Sequence, residues 1–104
     1  MMLAQMVEEL GHRVVAEAGS VGDAEPLARI AAFDLAILDV NLGGQDIDPI
    51  AEVIARRGLP FLFVSGYGVT PAQFPGVPLL QKPFLLRQLN DAINSLLDRR
   101  DAVV

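Results

Sequence analysis

Three polar residues each follow an apolar segment, and their side chains fit the transfer of a phosphoryl group to a carboxylate. Asp39, Ser65 and Lys82, the only lysine, each end or follow a run that reads as a short buried strand. The carboxyl ends of parallel strands open on one edge of a sheet, so we expect these side chains to meet there. An aspartate with the usual pKa of about 3.9 is an ionised nucleophile at neutral pH. The ammonium and hydroxyl groups can stabilise the anionic phosphoryl oxygens.

Alternating patterns around these residues predict an α/β domain. Apolar spacing predicts helices at 3–10, 23–32, 47–57 and 84–99, and strands at 13–18, 35–38, 59–64 and 77–81. The second helix has two candidate starts, Ser20 and Asp23, and Pro26 favours the later one because proline is tolerated in a first turn. Asp46 and Asp48 are predicted to cap the third helix. Alternating strands and helices indicate a parallel sheet.

The composition restricts the class of protein. The chain has 104 residues, 52% of them apolar, so we expect one globular domain over residues 1–104. A net charge of −5 with scattered basic residues argues against nucleic-acid binding. Every apolar run is too short for a membrane span. Because cysteine is absent, disulfides and thiolate sites are excluded, and we expect a cytoplasmic location.

Three stretches resemble the receiver domains of bacterial two-component response regulators. They are L-D-V-N-L-G-G from Leu38 to Gly44, the pair Ser65-Gly66, and Lys82-Pro83-Phe84. Residues 60–67, P-F-L-F-V-S-G-Y, more narrowly resemble the PFxFATGY group of stand-alone receivers. The resemblance covers essentially the whole chain and implies a flavodoxin-like (CheY-like) doubly wound parallel sheet with strand order 2-1-3-4-5.

The resemblance also implies roles for individual residues. Asp39 is similar to the phospho-acceptor, Ser65 to the hydroxyl residue that follows the phosphoryl group, and Lys82 to the family's lysine. Asp39 and the main-chain carbonyl of Asn41 correspond to ligands of Mg²⁺. Residues expected at the switch and partner surface are Tyr67, Leu79 and Phe84. A sensor histidine kinase or phosphotransfer protein would be the donor, and the output would be protein contact and not enzymatic activity.

The chain departs from the family at its start. Receivers begin with a strand that ends in two acidic metal ligands, whereas this chain opens with a helix similar to the family's first helix. We therefore expect weak binding of Mg²⁺ and a sheet without its central strand. Three arrangements would resolve this: the natural form starts upstream, the strand at 13–18 pairs with the strand at 35–38, or another copy supplies the pairing. For the chain as given we predict self-association into a dimer or larger assembly, by strand or domain swapping.

Two other functions are compatible with the same residues. The first is a protein-interaction module with a receiver fold and no phosphotransfer, which the missing acids favour. The second is a cobalamin-binding domain, whose D-x-H-x-x-G motif is matched by Asp39 and Gly44 but not by Asn41, which stands in place of the cobalt-coordinating histidine. A haloacid-dehalogenase phosphatase would need a second aspartate at position 41.

Overall fold

The fold is given by a computed structural model, which describes residues 3–42, 45–66, 74 and 76–101. The helices are α1 (Leu3–Glu9), α2 (Val21–Ile30), α3 (Asp48–Arg56) and α4 (Leu86–Asp101). The strands are β1 (Ala36–Asp39), β2 (Asn41–Leu42), β3 (Gln45–Asp46), β4 (Phe61–Ser65) and β5 (Leu79–Gln81). None of the described helices combines the length and the apolar character that crossing a membrane requires.

The main sheet has three parallel strands in the order β1-β4-β5. All five residues of the middle strand β4 are buried, as expected for a strand covered on both faces. In the pairing of β4 with β1, Val64 lies opposite Asp39, and in the pairing of β4 with β5, Ser65 lies opposite Gln81. The predicted α/β class is therefore confirmed, and the order of these strands is that of the last three strands in the predicted arrangement.

Alternate side chains of β4 build two cores, one on each face of the sheet. Phe61 and Phe63 face α2 and α3, and the two rings are packed edge to face with centroids 5.6 Å apart. Leu62 and Val64 face α1 and α4, where Leu89 is fully buried. Helices on both faces of a parallel sheet form the doubly wound architecture that the sequence predicts.

Helix α2 begins earlier than predicted. The Ser20 hydroxyl accepts a hydrogen bond from the Asp23 amide at 3.1 Å, which caps the helix so that Val21 is its first residue. The favoured start at Asp23 was wrong, because the other candidate, Ser20, is the N-cap and Pro26 lies inside the helix. The helix also ends at Ile30, two residues before the predicted end.

The predicted strand at Arg13–Ala18 is wrong. Residues 12–18 have no regular secondary structure and do not pair with β1, so the sliding of this segment onto β1 is not observed either. The local sequence is strand-like, but a strand exists only where a neighbour accepts its ladder hydrogen bonds. Among the described residues no strand lies beside this segment.

A short antiparallel hairpin, formed by β2 and β3, follows β1 and was not predicted. In the sequence Gly43-Gly44 lies between the two strands, and a Gly-Gly pair that separates two strand segments is a recognised hairpin signal. After the hairpin, the Asp46 carboxylate accepts a hydrogen bond from the Asp48 amide at 3.0 Å. The N-cap of α3 is nevertheless Ile47, which makes no side-chain capping bond, so the prediction that Asp46 and Asp48 cap this helix was wrong. Asp46 precedes the N-cap, and Asp48 lies in the first turn.

Arg57 links the ends of two helices on one face of the sheet. Its guanidinium donates hydrogen bonds to the carbonyl oxygens of Ala28 at 2.7 Å and Ala31 at 2.8 Å, at the end of α2. The same group lies 5.0 Å from the centroid of the Phe33 ring. Arg57 directly follows α3, so these contacts satisfy terminal carbonyls of α2 and hold it against α3. Gly58, with φ +73°, then ends the segment in a conformation that favours glycine.

Candidate functional site

The ends of three strands bring Asp39, Ser65 and Lys82 together at the carboxyl edge of the sheet. Asp39 is the last residue of β1, Ser65 is the last residue of β4, and Lys82 directly follows β5. The Lys82 amide donates a hydrogen bond to the Ser65 carbonyl at 2.8 Å, which continues the ladder one residue past β5. The Lys82 ammonium Nζ lies 2.6 Å from Oδ2 of Asp39. The convergence expected from the sequence is thus observed.

Asp39 and Lys82 are accessible, whereas Ser65 is not. The side chain of Lys82 is 47% exposed and that of Asp39 is 32% exposed, but Ser65 as a residue is only 3% exposed. An exposed ion pair contributes at most about 1 kcal/mol to stability, so the Lys82–Asp39 contact is not a structural requirement of the fold. It places a cation beside a carboxylate oxygen that an incoming anion can reach.

The predicted switch residues lie in different environments. Leu79 is half-buried and packs with the core on the α2–α3 face, whereas Phe84 packs with the core on the α1–α4 face. Phe84 follows Lys82 by two residues, after a cis peptide bond between Lys82 and Pro83. Tyr67 lies outside the described residues. Leu79 and Phe84 therefore connect the site to opposite faces of the sheet.

The donor set for a cation is small. Across residues 3–42, 45–66, 74 and 76–101, no three histidine or carboxylate side chains are grouped to hold a metal ion. Asp39 ends β1, and Asn41 begins the hairpin only two residues later. One carboxylate and one main-chain carbonyl fit Mg²⁺, because Mg²⁺ takes one or two carboxylates and completes its octahedron with waters and phosphate oxygens. This set also explains why weak binding is expected.

Asp48, near the hairpin, has a pKa that is shifted by its surroundings. Burial raises the pKa of Asp48 above 3.8, and the neighbouring charges of Asp46 and Glu52 raise it further. Its carboxylate is thus disfavoured in the folded state. The shift follows from the local fold and gives Asp48 no role in the chemistry.

Comparison with known proteins connects this geometry to a family. The transcriptional regulatory protein PdtaR of Mycobacterium tuberculosis is 33% identical over 105 residues, which cover 95% of this chain and 51% of PdtaR. The solution structure of SdrG from Sphingomonas melonis is 35% identical with a TM-score of 0.81, covering 91% of this chain and 83% of SdrG. The non-phosphorylated HemR receiver domain of Leptospira biflexa is 28% identical with a TM-score of 0.72, covering 98% and 84%.

These similarities, together with the parallel sheet and the carboxyl-edge site, identify the class. This chain belongs to the receiver domains of response regulators. Models of known protein families gave no match. The chain spans about half the length of the PdtaR proteins that it matches.

Proposed function

We propose that this chain accepts a phosphoryl group on Asp39 from a histidine kinase or phosphotransfer protein and signals by protein contact in the cytoplasm. The observation that carries the proposal is the 2.6 Å contact between Lys82 Nζ and Asp39 Oδ2 at the edge where three strands end. A receiver domain with this pair has both the nucleophile and the cation that phosphoryl transfer to a carboxylate requires.

In the proposed reaction a carboxylate oxygen of Asp39 attacks the phosphorus of a phosphohistidine. The new P–O bond forms as the P–N bond breaks, and the departing imidazole keeps the electron pair and takes a proton from solvent. Lys82 stays beside the acceptor and balances the charge of the phosphoryl oxygens. Mg²⁺, held by Asp39 and the Asn41 carbonyl, would supply further positive charge between the two anions.

The proposed output begins at Ser65 and Lys82. If the Ser65 hydroxyl turns to donate a hydrogen bond to the phosphoryl group, the end of β4 would move with it. The Lys82 amide is hydrogen-bonded to the carbonyl of Ser65. The displacement would reach Phe84, which packs against the α4 core two residues further on. We propose that the surface around Leu79, Phe84 and Tyr67 changes its partner in this way.

The direct test is the intact mass of the folded protein after incubation with acetyl phosphate and Mg²⁺. We expect a gain of one phosphoryl group in the natural sequence and none in Asp39→Asn. Asp91→Asn, on the exposed side of α4, is the matched control and should be labelled like the natural sequence. Persistent, acid-stable labelling of Asp39→Asn would refute the assignment.

One observation favours a second function, a receiver-fold interaction module without phosphotransfer. Asp39 is not part of any cluster of three metal-binding side chains in the described chain, so the cation needed for the reaction has few ligands. For this function we expect the folded protein to remain unlabelled while it still binds its partner. Retained binding by Asp39→Asn together with no labelling of either form would select it.

Self-association stays a prediction. Its basis in the structure is the outer edge of β1, beside which no described strand lies, and we expect a mass above that of one chain in light scattering at micromolar concentration. A monomeric mass would contradict it.

A further inference from the structure

The short connection between β5 and α4 carries Lys82. β5 ends at Gln81 and α4 begins at Leu86, so residues 82–85 join the two elements. On the strand side the connection is fixed by the Lys82 amide, which donates to the Ser65 carbonyl at 2.8 Å. The path of the remaining residues, and with it the place of the Lys82 side chain, therefore depends on how the connection is fixed on the helix side.

The side chain of Gln88 fixes the helix side of this connection. Its Oε1 atom accepts a hydrogen bond from the Leu85 amide at 2.7 Å. The Leu85 carbonyl accepts the Leu89 amide at 3.2 Å, which places Leu85 at the N-cap of α4. A glutamine three residues after the N-cap that reaches back to the N-cap amide is one half of a capping box. The other half is a hydroxyl at the N-cap, which leucine cannot supply, so this cap depends on Gln88.

Phe84 fixes the same turn from its apolar side. It directly precedes the N-cap and packs against the core on the α1–α4 face, which contains the fully buried Leu89. Apolar residues before the N-cap and at the fourth helical position form a hydrophobic staple, which sets the angle at which the chain enters a helix. Phe84 through packing and Gln88 through a hydrogen bond therefore hold two adjacent residues of the connection.

The ion pair between Lys82 and Asp39 does not by itself place the ammonium group. The side chains of both residues are reached by solvent, at 47% exposure for Lys82 and 32% for Asp39. An exposed pair gains little free energy and must order a long lysine side chain with many rotamers. The position of the Lys82 backbone therefore determines how well Nζ is held at 2.6 Å from Oδ2 of Asp39.

We propose that Gln88 is a positioning residue for the phosphoryl-acceptor site: by capping α4 it fixes residues 82–85 and so holds the Lys82 ammonium beside Asp39. Gln88 acts through Lys82 and not on the reacting atoms. A displacement of about 1 Å at a reacting centre can slow a reaction severely, so a loosened connection affects the rate. The effect on phosphotransfer rests on the proposed function, whereas the effect on the place of Lys82 can be measured without any phosphotransfer.

The first test compares two substitutions of Gln88. Gln88→Ala removes the acceptor but introduces the strongest helix former, so the loss is confined to the cap. We expect its labelling by acetyl phosphate and Mg²⁺ to be about three- to tenfold slower than that of the natural sequence. Gln88→Glu keeps an oxygen at the capping position and should be labelled within about twofold of the natural rate. Labelling of Gln88→Ala at the natural rate, or equally slow labelling of both variants, would overturn the proposal.

Ser20→Ala is the matched control for a general loss of stability. It removes a capping bond of the same kind, from the Asp23 amide to the Ser20 hydroxyl at 3.1 Å, at the start of α2. Urea denaturation should show that Ser20→Ala and Gln88→Ala are destabilised to a similar extent. The labelling rate of Ser20→Ala should nevertheless stay within about twofold of the natural rate, because this cap does not hold Lys82. If both variants slow labelling equally, Gln88 contributes only stability and the proposal is wrong.

The place of Lys82 can be observed directly by nuclear magnetic resonance. Lys82 is the only lysine, so protein made with ¹⁵N-labelled lysine gives a single Nζ signal, and Asp39→Asn supplies the reference for an unpaired ammonium. We expect the Nζ signal of Gln88→Ala to move toward this reference, whereas those of Gln88→Glu and Ser20→Ala should stay at the natural position.

This signal also separates failure of the inference from failure of the proposed function. An Nζ signal of Gln88→Ala at the natural position would overturn the role of Gln88, even if the natural protein is labelled. If the natural protein is not labelled at all, the proposed function fails, and a shifted Nζ signal in Gln88→Ala still supports the positioning of Lys82 by Gln88.

Discussion

The two strands β1 and β4 are neighbours with similar apolar sequences, yet their surroundings differ. β4 has a strand on each side and all of its residues are buried, whereas in β1 only Leu38 is buried. The difference comes from the number of neighbours and not from the strands themselves. One half of the domain, β4 with β5 and α4, is built around a strand with two neighbours, and the other half, β1 with the segment 12–18, around a strand with one described neighbour.

The comparison is tested most strongly by removing a large side chain from each strand. Phe63→Ala deletes a ring that is 0% exposed and packs against two other phenylalanines, so we expect a loss of about 3–5 kcal/mol in unfolding free energy. Ile37→Ala, on the open strand and only partly buried, should cost about 1–2 kcal/mol, below the usual range for a core site. Urea denaturation measures both. Equal losses would show that the two strands are equally well packed.

A smaller effect is expected where the open half is held together. Arg57→Ala removes two hydrogen bonds to the end of α2 and the contact with Phe33, so we expect a loss of about 1–3 kcal/mol. Arg56→Ala is the matched control, since Arg56 is the exposed preceding residue and should change stability by no more than about 0.5 kcal/mol. Indistinguishable denaturation midpoints for the two variants would remove Arg57 as the link between α2 and α3.

Lys82 stands where the two halves meet, and its effects on stability and function should separate. Lys82→Gln breaks an exposed ion pair, so we expect the unfolding free energy to change by less than about 1 kcal/mol. Labelling by acetyl phosphate should nevertheless slow at least tenfold, because the cation beside the acceptor is lost. Mass spectrometry of samples quenched at successive times measures the labelling rate, and urea denaturation of the same protein measures the unfolding free energy. Normal labelling would exclude Lys82 from the reaction.

The smallest expected effect concerns Asp48, beside the hairpin. Burial raises the pKa of Asp48 above 3.8, so the folded state holds this proton more tightly than the unfolded state. Its ionisation therefore lowers stability as the pH rises from about 3.8 through the folded pKa. Asp48→Asn should remove this decrease, with a change of no more than about 0.5 kcal/mol at neutral pH. Denaturation curves from pH 3 to pH 7 would contradict this if the two proteins lost stability in parallel.

Much of this arrangement could be predicted from the sequence because it depends on local patterns. Asp39, Ser65 and Lys82 meet because each lies at the carboxyl end of a strand, and strand ends are visible in apolar runs. The start of α2 was predicted wrongly because two local signals competed, and the Ser20 cap prevailed over Pro26. Both outcomes were decided within a few residues of the chain.

Other features could not be predicted because they depend on distant partners. Residues 13–18 have the composition of a strand, but whether a strand forms is decided by what lies beside them in space. The contact of Arg57 with carbonyls 26 and 29 residues away carries no sequence signal at all. The hairpin after Asp39 could be predicted only in part. Gly43-Gly44 is a hairpin signal in the sequence, but each strand of the hairpin is only two residues long.

The exposure of the Lys82–Asp39 ion pair has a consequence for the effect of salt on this domain. Dissolved salt screens charges that solvent reaches and acts much less on buried contacts. Added salt would therefore weaken the contact at the carboxyl edge while the two cores keep their packing, so ionic strength can change the site without changing the fold.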